Sequence, residues 1–306
     1  MAVGIAALFW SLDGIFIRPQ FYHLPAALVV FFEHALGFLV LMPFLIRGRK
    51  EIQKLSLSAW GSLAWVSIWG GLLGTIFITK AFFAAYDPTI HTTLATVVIL
   101  QKLQPVFALF LARILLKEKL NKNFYLWAAI AIVAAYFLAF AKPGMSLKDI
   151  RFVDPAALYA LLAAFAFGSS TVFGKRFTNE LSFGTATSLR FFATMILALI
   201  LIFVAGHFRA IPEMQPIHWK LLIVIVFSSG ALSMFIYYYG LKRIPASVAT
   251  IFELVWPLSA VILDYIINDN HLTALQIISA LVLLGAFFMI VRKPKKHKEE
   301  DQREFV

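Results

Sequence analysis

The sequence contains no cysteine. A disulfide framework, a thiolate metal site and a cysteine nucleophile are thereby excluded. Charge is scarce too: Asp, Glu, Lys and Arg make up 14% of the 306 residues, while hydrophobic residues make up 61%. Soluble domains are nearer to about 45–50% apolar, and so little polar material could not cover a soluble helical protein. No Gly-rich phosphate cradle is present, which argues against internal ATP hydrolysis. Glu33-His34 has no second histidine four residues on, and Asp269-Asn270-His271 falls in a loop. The metal-hydrolase patterns are therefore missing, and no cofactor or metal site is expected. No basic segment precedes the first apolar run, so no cleavable leader is expected.

What is present is a series of apolar runs near membrane-spanning length, with a mean hydropathy of +0.85. Ten spans can be drawn, at residues 2–17, 26–46, 60–83, 89–111, 124–141, 155–174, 183–205, 219–241, 246–267 and 273–291. The net charge of +11 would suggest nucleic acid in a soluble protein. Here it reflects basic loops beside anionic lipid, and no nucleic-acid partner is expected. With a cytoplasmic N-terminus, eighteen of the 27 Lys and Arg residues fall on inner connectors and the tail, against six, Arg18 among them, on outer connectors. That bias predicts a multi-pass plasma-membrane protein with both termini in the cytoplasm.

The two halves repeat. Shifted by 152 residues, Pro105 meets Pro257, Ala108 meets Ala260 and Leu111 meets Leu263; Gln101 meets Glu253 and Gln104 meets Trp256. A shift of 157 places Trp10 on Phe167, Asp13 on Ser170 and Arg18 on Lys175. Five spans per half is an odd number, so the second copy enters the membrane from the opposite side. The expected fold is an all-α membrane protein: ten transmembrane helices in two inverted five-helix repeats around a central cavity. The repeats cover residues 1–141 and 155–291. A linker at 142–154 carries Pro143-Gly144, and a charged tail covers 292–306.

These features, with Leu116-Lys117-Glu118-Lys119-Leu120 after span four and Gly240-Leu241-Lys242-Arg243-Ile244-Pro245-Ala246-Ser247 after span eight, resemble the EamA branch of the drug/metabolite transporter superfamily. The resemblance covers residue 1 to about residue 292. It implies ten helices, a central substrate cavity and alternating access, and it supplies no universal binding motif. One departure is visible: Asn270 stands where a glutamate is common.

Polar residues inside the spans mark the candidate site. Lys102 lies midway along span four, where a charge costs about 2.5–3.5 kcal/mol on insertion scales. It either lines a cavity or pairs with Glu253 or Glu33. Gln101 and Gln104 flank the break at Pro105. They either meet substrate or satisfy carbonyls freed by the proline. Glu253 and Trp256 sit before the matching break at Pro257. Trp10 and Asp13 share a face of span one. Glu33 and His34 lie two turns into span two, and helical geometry lets only one of them face a cavity fully, with Glu33 favoured. Arg190 neutralises Glu33 or Glu253, holds an anion, or snorkels. Lys80 is read as snorkelling, Tyr237-Tyr238-Tyr239 as an interfacial belt, and Gly70-x-x-x-Gly74 as a helix-packing signal within the fold or at a dimer face.

The expected function is secondary transport, most simply export, of small organic metabolites by alternating access with a mid-membrane site. Lys102, Gln101, Gln104, Glu253, Trp256, Trp10 and Arg190 would contact substrate. Glu33, Asp13 and His34 would carry charge or proton coupling. Mixed charge in the site suits a zwitterion such as an amino acid. An intramembrane enzyme or a lipid-carrier flippase component is the alternative. The partners expected are the lipid bilayer and a small-molecule substrate, the chain acting as a monomer or homodimer.

Overall fold

The computed structural model describes residues 2–87, 92–104, 106–107, 110, 122–140, 154–243, 252 and 255–291. Pro105, Glu253, the 116–120 motif, nearly all of the linker and the tail lie outside the described residues. Among the described residues the regular elements are helical and no strand occurs. The first is α1, Ala2–Phe21, which is α-helical to Leu12, π-helical over Asp13–Ile17 and 3-10 over Arg18–Phe21. Helix α2 is Ala26–Arg47. Helix α3, Leu57–Tyr86, has a π-helical centre at Val66–Leu73. The others are α4 (Leu94–Gln101), α5 (Lys122–Phe140), α6 (Pro155–Glu180), α7 (Phe183–Val204), α8 (Pro216–Arg243, interrupted by a turn at 227–230), α9 (Val255–Asn268) and α10 (Ala274–Val291).

Helices α1, α2, α3, α7 and α8 are each long and apolar enough to cross a membrane. Shorter apolar helices lie in α5, α6, α9 and α10. Large side chains such as Ile200, Phe203, Ile266 and Leu281 point outward and are more than half exposed, as expected of a surface that meets lipid. The interior is the polar side. There, Ser and Thr hydroxyls bond carbonyls of their own helix: Ser62 to Ser58, Ser170 to Ala166, Thr178 to Gly174 and Thr187 to Phe183. This satisfies polar groups where water does not reach.

Helix α2 lies along α7, α5 along α10, and α3 along α6; α1 packs on α8 and α9, and α4 on α6 and α9. Close approach is made by small residues, since lipid removes the hydrophobic force between helices. A Cβ at Gly71 would fall 2.0 Å from Thr194 Oγ1 on α7, and one at Gly70 2.8 Å from Ser170 Oγ on α6. The Gly70-x-x-x-Gly74 signal is therefore packing within the fold.

Side-chain oxygens set several helix starts. Ser56, Thr93, Asp154 and Ser182 each accept from a backbone N–H one turn on. At the same end of the bundle, two loops brace each other. Glu180 accepts from Ser56 N (3.0 Å) and Oγ (2.8 Å), Glu51 accepts from Ser182 N (2.7 Å), and Lys242 donates to the Leu181 carbonyl (2.8 Å). The bonds from Ser56 hold the exposed Glu180 carboxyl below its ordinary pKa.

Candidate central cavity

Eight of the ten described helices, all but α5 and α10, line one cavity. The space it spans, open solvent at its mouth included, is about 1160 Å³. Trp10, Asp13, Glu33, His34, Gln101, Lys102, Gln104, Arg190 and Trp256 all reach it. The structure thus brings together every sequence-expected contact residue that falls among the described residues.

One end of the cavity is held by a buried ion cluster. Arg18 donates from Nε (2.9 Å) and Nη2 (2.6 Å) to Asp13 Oδ2, and from Nη1 to Glu33 Oε2 (2.9 Å) and Thr79 Oγ1 (3.1 Å). Arg18, Asp13 and Glu33 are each at most 5% exposed. The π turn explains the geometry. Residues five apart on an α-helix point about 140° away from each other, whereas the wider π turn brings positions 13 and 18 to one side. Gly14 lets Phe82 of α3 pack against the turn, since a Cβ there would meet the Phe82 ring at 2.6 Å.

An aromatic wall forms the middle. The Trp10 ring lies 5.4 Å from Tyr237 and 5.9 Å, edge-on, from Trp256. Lys102 Nζ sits 4.7 Å over the Trp256 ring, a favourable place for a cation in a dry setting. Helix α4 stops at Gln101, with Lys102 and Leu103 in a turn. Gln101 Nε2 donates to Gln104 Oε1 (2.7 Å), while Gln101 Oε1 and Trp256 Nε1 are buried without a hydrogen-bond partner. Pro257 is buried in the first turn of α9, where a missing N–H costs no helical bond. Trp10 Nε1 donates to the Ser229 carbonyl in the α8 turn (3.0 Å), and Ser11 donates to the Trp256 carbonyl (3.1 Å). These two bonds tie α1 to α8 and α9.

Arg190 does not snorkel. Its Nη1 donates to the Tyr238 hydroxyl (2.9 Å), and its Nε is buried without a partner. His34 hydrogen-bonds through Nδ1 to the Val30 carbonyl (2.9 Å) and lies 4.8 Å from the Phe191 ring. Glu33 and His34 both border the cavity. The belt reading of the three tyrosines also needs correction. Tyr237 and Tyr238 line the cavity, and Tyr238 is 4% exposed; Tyr239 alone is exposed, with Arg243 stacked 3.5 Å over its ring.

Two residues escaped the sequence reading. Arg18 follows an apolar run and precedes Pro19, so it resembles an ordinary interfacial cation, and its five-residue spacing from Asp13 gives no helical pairing signal. Asp264 is 1% exposed on α9. Its carboxylate accepts from Ala95 N at the start of α4 (2.9 Å) and from the Asn268 and Asn270 amides (2.8 and 3.1 Å). The departure at Asn270 is therefore a structural contact.

The chain was compared with known proteins. The EamA-like transporter family matches residues 1–140 and 154–292. A riboflavin transporter, ImpX, of Fusobacterium nucleatum is 38% identical over 293 residues, spanning 95% of this chain and 96% of that protein. An uncharacterized transporter of Synechocystis is 23% identical, over 87% of this chain and 75% of its own length. A solved crystal structure 16% identical in sequence covers 93% of both chains with a TM-score of 0.57, a likeness of fold. The chain is a multi-pass membrane protein and a small-molecule transporter, and it belongs to the EamA-like transporter family.

Proposed function

We propose that the chain is a secondary carrier for riboflavin, or a flavin of the same shape, held in the central cavity during alternating access. The observation that carries the reading is the aromatic wall of Trp10, Trp256 and Tyr237 bordered by polar groups. A flavin ring is flat, with apolar faces suited to stacking. One edge reads acceptor, donor, acceptor. Trp256, Gln101 and Arg190 line the same cavity and carry an N–H donor, an amide-oxygen acceptor and an N–H donor, groups that complement that edge in kind. The 38% identical riboflavin transporter supports the same substrate. An amino-acid substrate draws less support. Its ammonium group would need a carboxylate, and Asp13 and Glu33 are both held by Arg18.

Alternating access rests on ten spans in two inverted halves, 1–141 and 155–291, with both termini cytoplasmic in the plasma membrane. Helix bounds support the repeat. Shifted by 157, α2 (Ala26–Arg47) falls on the bounds of α7 (Phe183–Val204), and the last residue of α3, Tyr86, falls on the last of α8, Arg243. Glu33 then coincides with Arg190 and His34 with Phe191, two pairs that meet at the cavity. Rocking one half against the other would open the shared site to each side in turn.

The test is titration of the purified full chain with riboflavin, followed by quenching of flavin fluorescence. Stacking predicts saturable quenching, weakened roughly tenfold by Trp256→Ala, about the 1.4 kcal/mol of a lost aromatic contact. Quenching absent in the wild-type protein, or unchanged in Trp256→Ala and Gln101→Ala, would overturn the reading.

A further inference from the structure

We propose that Asp13 is a proton-binding site, and that its protonation loosens the latch at one end of the cavity. The assignment of Asp13 as a proton site stands independently of the flavin; its use in transport rests on the carrier reading above.

The geometry points to one oxygen. Arg18 places two N–H groups on Asp13 Oδ2 and a third on Glu33 Oε2. Asp13 Oδ1 receives nothing and is fully buried. Among the described carboxylates it is the one with a buried oxygen lacking a donor. Ser229 Oγ lies beside the carboxyl and is itself buried. A bare buried acceptor is costly. A proton on Oδ1 turns that acceptor into a hydroxyl donor, with Ser229 Oγ as the group positioned to accept. Charge counts the same way: one guanidinium faces two carboxylates, and one added proton makes the trio neutral.

The other ionisable groups around Asp13 are engaged differently. On α2, Glu33 is bonded by Arg18, and His34 is fixed by Val30 and Phe191. On α4, Lys102 lies over Trp256; on α7, Arg190 holds Tyr238. On α8, His218 packs on Phe21 and His23. On α9, Asp264 is satisfied by three N–H donors, while Glu253 lies outside the described residues. On α3, the group in contact is the Thr79 hydroxyl.

The consequence is mechanical. Asp13 and Arg18 are on α1, Glu33 on α2 and Thr79 on α3. A proton on Asp13 removes the ion pair and leaves Arg18 bonded to an uncharged carboxyl, a weaker acceptor, while Arg18 keeps Glu33. The π turn of α1 is then held less tightly to the guanidinium, which itself stays on Glu33 of α2 and Thr79 of α3. A proton taken up at this end and released at the other would drive substrate with it, no bond being made or broken beyond the O–H.

Two measurements on the purified full chain test this. Infrared difference spectra between neutral and acid pH are expected to show a protonated-carboxyl C=O band that Asp13→Asn abolishes and Glu33→Gln leaves. In proteoliposomes, an imposed pH gradient is expected to accelerate riboflavin entry severalfold, and Asp13→Asn to bring the ratio with and without the gradient to unity. A band that persists in Asp13→Asn, or a gradient response equal to wild type, overturns the proposal. If the wild-type protein moves no riboflavin, the carrier reading fails while the infrared result still decides the proton site. Should Asp13→Asn not fold, Ser229→Ala leaves the ion cluster whole and is expected to shift the band; an unshifted band contradicts the assignment.

Discussion

Replacing Arg18 by methionine removes the one cation that, among the described residues, lies within ion-pair distance of Asp13 and Glu33. The side chain is nearly isosteric along its stem, so the change is chiefly one of charge and hydrogen bonding. Four contacts go: two to Asp13 Oδ2, one to Glu33 and one to Thr79. Two carboxylates would be left buried in the bundle. Breaking a buried ion pair by removing one partner costs about 3–5 kcal/mol, a factor of a hundred or more in the unfolding equilibrium. The triple variant Arg18→Met, Asp13→Asn, Glu33→Gln has no stranded charge, and most of the loss is expected to return. Arg18→Lys keeps the charge but lacks the fork that serves two carboxylates at once, so it should fall between. The assay is unfolding of purified protein in detergent by denaturant titration. An Arg18→Met variant within about 0.5 kcal/mol of wild type, the range of an unremarkable surface change, would refute the claim that the cluster is dry and structurally essential.

Other outcomes follow from the same geometry. Gly71→Ala drives a Cβ to 2.0 Å from the branched, stiff Thr194 side chain; overpacking of this kind should destabilise by about 1–3 kcal/mol, and adding Thr194→Ala should relieve most of it. Asp264→Ala removes three hydrogen bonds, one of which ties α4 to α9, and should cost at least about 1–3 kcal/mol, with Asp264→Asn milder because an amide oxygen still accepts from Ala95. At the loop brace, Glu180 has a lowered pKa in the folded chain, so its contribution is present above its unfolded value of about 4.3 and is lost as pH falls through the folded value. Carboxyl titration by NMR should find the Glu180 value raised in Ser56→Ala; an unchanged value would remove the brace as the cause.

Much of the cavity was legible because the membrane makes polar residues conspicuous. Lys102, Gln101, Gln104 and Arg190 stand out from long apolar runs, and a mid-bilayer charge needs a polar setting. What escaped did so for physical reasons. Arg18 meets Asp13 only because α1 widens into a π turn, and period-3.6 reasoning separates the two residues. Arg18 claims two of the three acids in the mixed-charge picture, Asp13 and Glu33, while the third, Glu253, lies outside the described residues. Tyr237 and Tyr238 were read as belt residues from their place near a helix end, yet position along a helix does not tell which face they occupy; the Arg190–Tyr238 bond decides that. Asp264 was hidden because a carboxylate capping another helix leaves no local pattern around itself.

The central claim is that the cavity of Trp10, Trp256, Gln101 and Arg190 binds and moves a flavin. The most direct measurement is riboflavin counterflow: proteoliposomes holding the purified chain, preloaded with unlabelled riboflavin and diluted into a trace of labelled riboflavin. The account predicts transient accumulation of label well above that in protein-free liposomes, reduced tenfold or more in Trp256→Ala. Label that never exceeds the protein-free level, with the protein shown to be folded, would contradict it.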